Sequence, residues 1–262
     1  MAGPGKFSYS HLLGKNASWR LQKWVFPDSV WNQEVYGQLV NQLLQANPAA
    51  RWLDAGCGSR VLAQGLESLE DSAVAGAGLV VGLDPYLPSL ACHRNVRVRV
   101  CGFIDHLPFP DGAFDLVTCN MVVEHLADPQ KCFAEIRRVL RPGGRVIFHT
   151  PNLLHYMVFL NHTIGRVLPR KLVLSLIQAS DRRGSEEVFP TFYRMNSPGK
   201  VKSVADATGL AVNKIEFIPP PRPFFNFFLP AAFVQLMISW LMAKLGLEQF
   251  ESTLLVTLRK PE

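Results

Sequence analysis

The sequence predicts an α/β protein built on a largely parallel sheet. Three observations predict it. Short apolar runs recur between residues 51 and 151, segments of helical period separate them, and turn residues close nearly every run. The 262-residue chain is 48% hydrophobic, which is ample for a core and argues against long disorder. That length allows one large domain or two small ones.

Taken in order, residues 1–20 read as irregular. Val30, Val35, Leu39, Leu43 and Leu44 follow a helical period over 29–46, and Asn47-Pro48 ends that helix. "RWLDA" (51–55) is the first strand and "RVLAQGLESL" (60–69) a helix directly behind it. "GLVVGLD" (78–84), "RVRVCGF" (97–103) and "FDLVTCN" (114–120) are the next three strands. "PQKCFAEIRRVL" (129–140) is a helix stopped by Arg141-Pro142-Gly143-Gly144, and "RVIFHTP" (145–151) is a fifth strand. The order then changes. Residues 153–178 are apolar and basic, 181–187 form a charged loop, and 198–208 form a helix. Two last strands, 210–218 and 252–260, enclose an apolar insert. The expected organisation is an N-terminal helical segment (1–48) and one domain (49–262), with cap segments at about 153–195 and 219–251.

The formal charge of +6 suits anionic ligands or an anionic membrane surface, and is too mild for a nucleic-acid partner. The five cysteines, at 57, 92, 101, 119 and 132, form no CxxC pair. They read as buried, reduced thiols rather than a disulfide or metal framework. The first twenty residues lack the apolar core of a signal peptide, so a cytoplasmic location is expected.

The chemistry begins at "LDAGCGSR". An apolar strand ends at Asp54, and Gly56 and Gly58 let the backbone pass close to a ligand. A helix following at once would offer free N–H groups there. On its own this turn leaves nicotinamide, flavin and S-adenosylmethionine open. Asp84 closes the second strand, where a carboxylate can receive two ribose hydroxyls. "LPFPDGAFDLV", "EHL" and "LRPGG" follow in order.

With these elements, residues 51–152 resemble the class I S-adenosylmethionine-dependent methyltransferases of the type 11 group, which includes the ubiquinone and menaquinone methyltransferases. The resemblance implies a Rossmann-like seven-stranded sheet of order 3-2-1-4-5-7-6, with strand 7 antiparallel and the apolar cap inserted before it. It implies S-adenosylmethionine as cofactor. Asp54 would approach the cofactor's amino group, and Ala55, Gly56 and Gly58 would pack on its methionine part and ribose. Asp84 would bind the ribose diol, Pro85, Tyr86, Phe103 and Ile104 would border the adenine, and the backbone at Asn120 and Met121 would face the methionine end.

Two positions depart from the family's pattern. An Asp is common four residues before the Leu of "LPF", and Phe103 stands there. The Ile104 N–H remains to meet the adenine, while Asp105 reads as a solvated loop acid. Arg60 occupies the place of a third glycine and reads as an exposed residue of the helix's first turn. Metal-assisted relatives carry E-x-x-E-H, whose first Glu is Met121 here, so no metal is expected.

An activated sulfonium asks mainly for alignment of the acceptor. O-methylation of a hydroxyl gains from a general base. The acceptor side, beyond strands 4 and 5, selects Glu124, His125, His149, His155 and Tyr156, with His125 and then His149 as base candidates.

Pro223 to Ala243 carries no charge, but Pro230 interrupts it and both its ends return to one sheet. A helix of that length rises roughly 31 Å, and Gly246–Glu251 could retrace only about 20 Å. A single membrane crossing is excluded. What remains is a closed lid, a peripheral membrane attachment or an oligomer interface. Residues 156–178 have an interfacial composition, which Trp19, Trp24, Phe26 and Trp31 would extend. The expected function is O-methylation of a hydrophobic small-molecule or lipid-like acceptor, with a membrane surface as one setting. C-methylation of a quinone-type ring, methylation of a glycan and a non-catalytic scaffold stand as rivals, and the oligomeric state is open.

Overall fold

The computed structural model of the chain describes residues 17, 20–27, 30–167, 189–219, 223 and 229–262. Trp19 and much of both expected cap segments (168–188, 220–222 and 224–228) lie outside the described residues.

A helical turn at 20–25 precedes α1 (Asn32–Ala46). There follow β1 (Arg51–Ala55), α2 (Glu67–Gly76), β2 (Leu79–Asp84), α3 (Leu87–Ala91), β3 (Val98–Cys101) and β4 (Phe114–Asn120). Next come α4 (Pro129–Val139), β5 (Leu140–Pro151), α5 (Tyr156–Val167), α6 (Pro198–Thr208), β6 (Ala211–Ile218), α7 (Leu229–Lys244) and β7 (Thr253–Arg259). The seven strands form one sheet in the order β3-β2-β1-β4-β5-β7-β6, with β7 antiparallel to both neighbours. This is the expected order, including the reversed last strand.

Apolar layers cover both faces of the sheet. On one, α1 and α2 pack with Trp52, Leu116 and Ile147. On the other, α4 and α6 pack with Leu53, Val117 and Phe148. Successive strand residues point to opposite faces. α4 is well specified locally. The Asp128 side chain accepts from the Lys131 N–H at 3.1 Å, Pro129 occupies the first turn, and Arg137 and Arg138 lie in the last. In α1 the buried stripe is Tyr36, Val40 and Leu44; of the expected positions Leu44 belongs to it, while Val35, Leu39 and Leu43 pack beside it.

Several expectations need correction. The helix expected at 60–69 begins only at Glu67. Residues 60–66 are irregular, with a turn at 64–65, because Gly65 takes φ 97° and the Glu67 carboxylate accepts from the Gly65 N–H, nucleating the helix late. β5 starts at Leu140 rather than 145, since Leu140 already pairs with Phe114 before the Gly-Gly irregularity. Cys57, Cys119 and Cys132 are buried, but Cys92 and Cys101 are exposed, at a short helix's end and on edge strand β3.

Candidate active site

The carboxyl ends of β1, β2 and β4 border a cavity of about 340 Å³. Of the site residues named from the sequence, Gly56, Gly58, Asp84, Pro85, Tyr86, Phe103, Ile104, Met121 and His125 line it. Ser59, Ser89, Val122, Leu126 and Phe189 complete the wall. Asp54, Ala55, Asn120 and His149 do not line it.

The glycine turn is built differently from the expectation of free N–H groups at a helix start. The Gly56 and Cys57 N–H groups donate to the Leu83 carbonyl at 2.7 and 3.1 Å. The Gly58 N–H donates to Asp84 Oδ2 at 2.9 Å, and the Tyr86 N–H donates to Asp84 Oδ1 at 2.8 Å. The turn is therefore tied to the end of β2, and each Asp84 oxygen keeps acceptor capacity for a ligand. Gly56 sits at φ 82°, where a Cβ would come within 2.4 Å of Val122 Cγ2; Gly58 sits at φ 52° with open space where a Cβ would be. Arg60 is indeed half-exposed, but it pairs with Glu67 at 2.9 Å across the turn rather than standing in a helix. Asp105 is a surface acid paired with Lys131 at 3.0 Å.

Strand alternation gathers a second set of groups under α1. Asp54 pairs in register with Thr118, and Asn120 with His149, so their side chains share the face that α1 covers. Trp52 Nε1 donates to Thr118 Oγ1 at 2.7 Å, and that hydroxyl donates to Asp54 Oδ1 at 2.6 Å. Burial pushes the Asp54 carboxyl up to about 7, against the Thr118 hydrogen bond that lowers it. Asn120 Nδ2 donates to Gln33 Oε1 at 2.8 Å. His149 is fully buried, with its ring 5.8 Å from that of Tyr36, and burial lowers its pKa to about 4. A histidine held neutral beneath a helix, outside the cavity wall, is poorly placed as an acceptor-side base.

Residues 189–196 border the His125 side of the cavity, with Phe189 in its wall. Phe192 and Tyr193 N–H groups donate to the Glu124 carbonyl at 2.8 and 3.2 Å, and Asn196 Nδ2 donates to Thr150 Oγ1 at 2.7 Å. Thr150 in turn donates to the buried Glu124 carboxylate at 2.9 Å. Glu124 thus ties this segment to the sheet, while its neighbour His125 faces the cavity. His125 Nδ1 lies 3.0 Å from the Pro190 carbonyl, which can only accept, so Nδ1 carries the proton and Nε2 is the basic nitrogen. His155 is buried, its Nδ1 accepting from the Met157 N–H at 3.2 Å, and it stacks on Tyr156.

Residues 53–148 match the family described as a methyltransferase domain, type 11. Within these residues the chain carries a class I S-adenosylmethionine-dependent methyltransferase domain. Among curated relatives, a malonyl-[acyl-carrier protein] O-methyltransferase of Herminiimonas arsenicoxydans is 33% identical over 60% of this chain and 60% of its own length. A demethylmenaquinone methyltransferase of Mycolicibacterium gilvum is 34% identical over 47% of this chain and 53% of its own. The chain spans between 34% and 60% of the length of the first curated relatives it matches. An S-adenosylmethionine-dependent methyltransferase from Mesorhizobium loti superposes with a TM-score of 0.50 at 20% identity, covering 84% of this chain and 96% of that one, which shows the shared fold.

The residues present fit the methyltransferase cofactor. Gly58 leaves its side of the cavity open, Asp84 offers a carboxylate to a diol, and Phe103, Ile104 and Leu126 give an apolar wall. Reasoning from sequence missed Gln33, Tyr36 and Phe189. Gln33 and Tyr36 lie three residues apart on one helix face, a polar interruption in an apolar stripe that marks such groups.

Proposed function

We propose that the protein transfers a methyl group from S-adenosylmethionine to an oxygen of a hydrophobic, lipid-like acceptor. The observation that carries this reading is the 340 Å³ cavity in which Asp84 and the glycine turn stand at one side and His125 at another. When bound, the cofactor supplies a methyl group on a sulfonium, already activated for transfer. Asp84 would hold its ribose, and Phe103 and Ile104 would enclose its adenine. His125 would take the acceptor's proton at Nε2, because the Pro190 carbonyl holds the proton of this ring on Nδ1. The apolar helix between β6 and β7 supports a hydrophobic acceptor, since it stands at the end of the sheet where the cavity opens.

The test is transfer of isotopically labelled methyl from S-adenosylmethionine into solvent-extractable lipids. Label expected in a base-labile ester or an O-methyl ether would support the reading. Label retained on a ring carbon would replace it with C-methylation, and no label in any extract would reject a lipid-like acceptor.

A further inference from the structure

α7 is turned opposite to a helix that faces water. Its buried stripe is Ala232, Gln235, Leu236 and Ser239, so its uncharged polar side chains lie among those packed inward. Its outer side presents Phe233, Val234, Ile238, Trp240 and Leu241, each between 40% and 57% exposed. A continuous apolar face of this kind marks a docking surface.

Pro151, Thr253 and Ile218 lie at one level across β5, β7 and β6. α5, which follows β5, and α7, which joins β6 to β7, therefore leave the same edge of the sheet. That is the edge at which the cofactor cavity lies. α5 also turns Phe159 and Leu160 outward, at 57% and 46% exposure. α7 has 16 residues, a rise of about 24 Å, short of the ~30 Å hydrocarbon core. Among the described residues no helix is long and apolar enough to cross a membrane.

We propose that the outer face of α7 docks along the surface of an anionic phospholipid bilayer. Charge selects this occupant. From Phe217 to Leu247 the sequence has no acidic residue, and its only charges are Arg222 and Lys244. Lys244 Nζ lies 5.8 Å from the centre of the Trp240 ring, which pairs an amphipathic aromatic with a cation at one end of the apolar face. A second protein surface is the weaker match. Protein interfaces carry about one hydrogen bond per 100–200 Å², and among the described residues the apolar stretch of this face offers the Trp240 indole N–H, with the Lys244 ammonium at its end. Lipid chains ask for none. Docked so, the mouth of the cavity would stand beside the layer that holds apolar acceptors. The docking itself does not rest on the methyl-transfer reading.

The experiment is sedimentation of the full chain with phosphatidylcholine vesicles, with and without 30% phosphatidylglycerol. S-adenosylhomocysteine calorimetry and light scattering without lipid run in parallel. The wild type is expected to sediment with the anionic vesicles and to be released by added salt. A Val234→Gln/Ile238→Gln/Leu241→Gln variant should partition at least tenfold more weakly while binding S-adenosylhomocysteine unchanged, and Lys244→Glu should weaken only the anionic component. Wild type remaining in the supernatant with both vesicles would overturn the proposal. So would a triple variant that still sediments. A lipid-free dimer that the triple variant breaks, with no vesicle binding, would assign the face to a second copy instead. Calorimetry reports the cofactor site separately, so loss of docking and loss of the cofactor reading are distinguishable.

Discussion

Asp84 and Gly58 are locked together, with the carboxylate Oδ2 accepting the Gly58 N–H at 2.9 Å. The residue that closes β2 thus shapes the glycine turn as well as lining the cavity. Removing it should cost twice, once in the ribose contacts and once in the turn. Hydrogen bonds to a charged group contribute about 1.5–3 kcal/mol each. Asp84→Ala is expected to weaken S-adenosylhomocysteine binding at least 100-fold by calorimetry. Asp84→Asn retains one acceptor oxygen and should fall between the two. Unchanged affinity in the Ala variant would show the ribose to be held elsewhere.

The two glycines of the turn should behave differently. At Gly56 a Cβ would meet Val122 Cγ2 at 2.4 Å, and φ is already 82°. Overpacking costs about 1–3 kcal/mol and the left-handed backbone a further ~1–2. Gly58 has the same backbone cost but no atom within 4 Å of its Cβ. Gly56→Ala should therefore lower the melting temperature clearly, and a Val122→Ala partner should restore part of it. Gly58→Ala should lower the melting temperature less, by the backbone cost alone, but bind cofactor at least tenfold more weakly, since its new methyl enters the cavity.

Asp54 gives a dependence on pH. Its carboxyl is lifted by burial from 3.8 to about 7. The folded state then holds this proton while the unfolded state has released it. Stability from Asp54 is full below about pH 4 and is lost as pH rises toward 7. His93, His149 and His155 run the other way. Burial lowers each to about 4, so their contribution is full above 6.5 and lost as pH falls through 4. The two trends oppose each other over one window. Asp54→Asn keeps an acceptor for the Thr118 hydroxyl and removes one trend. It should raise stability at pH 7.5 by on the order of 2–4 kcal/mol and steepen the rise between pH 4.5 and 6.5. Denaturant titrations across pH measure both, and parallel profiles for variant and wild type would contradict a shifted Asp54.

The cofactor half of this site was legible in sequence because it is local. "LDAGCG" and the acid closing the next strand specify a turn through backbone needs that few residue types meet. The strand order, including the reversed β7, came from the family resemblance. The groups under α1 were less legible. Gln33 reaches Asn120 across 87 positions, and only the packing of α1 onto the sheet brings them together. The segment 189–196 hid for the same reason, since its bonds to Glu124 run through backbone N–H groups that every residue type carries. The late start of α2 turned on one Glu67–Gly65 bond, too fine a signal for periodicity to reveal.

His125 allows its two possible tasks to be separated. Its Nδ1 proton anchors Pro190, and its Nε2 is the atom available to an acceptor. Asparagine places an amide N–H near the position of Nδ1 and nothing basic at Nε2. His125→Asn should therefore keep the Pro190 contact, the melting temperature and the cofactor affinity. A positioned base contributes typically 10²–10⁴-fold. The variant is expected to lose about that factor in kcat toward a hydroxyl acceptor. His125→Ala removes the anchor as well and should also weaken acceptor KM. Full activity in His125→Asn would make this histidine a tether for residues 189–196 and leave proton transfer to another group.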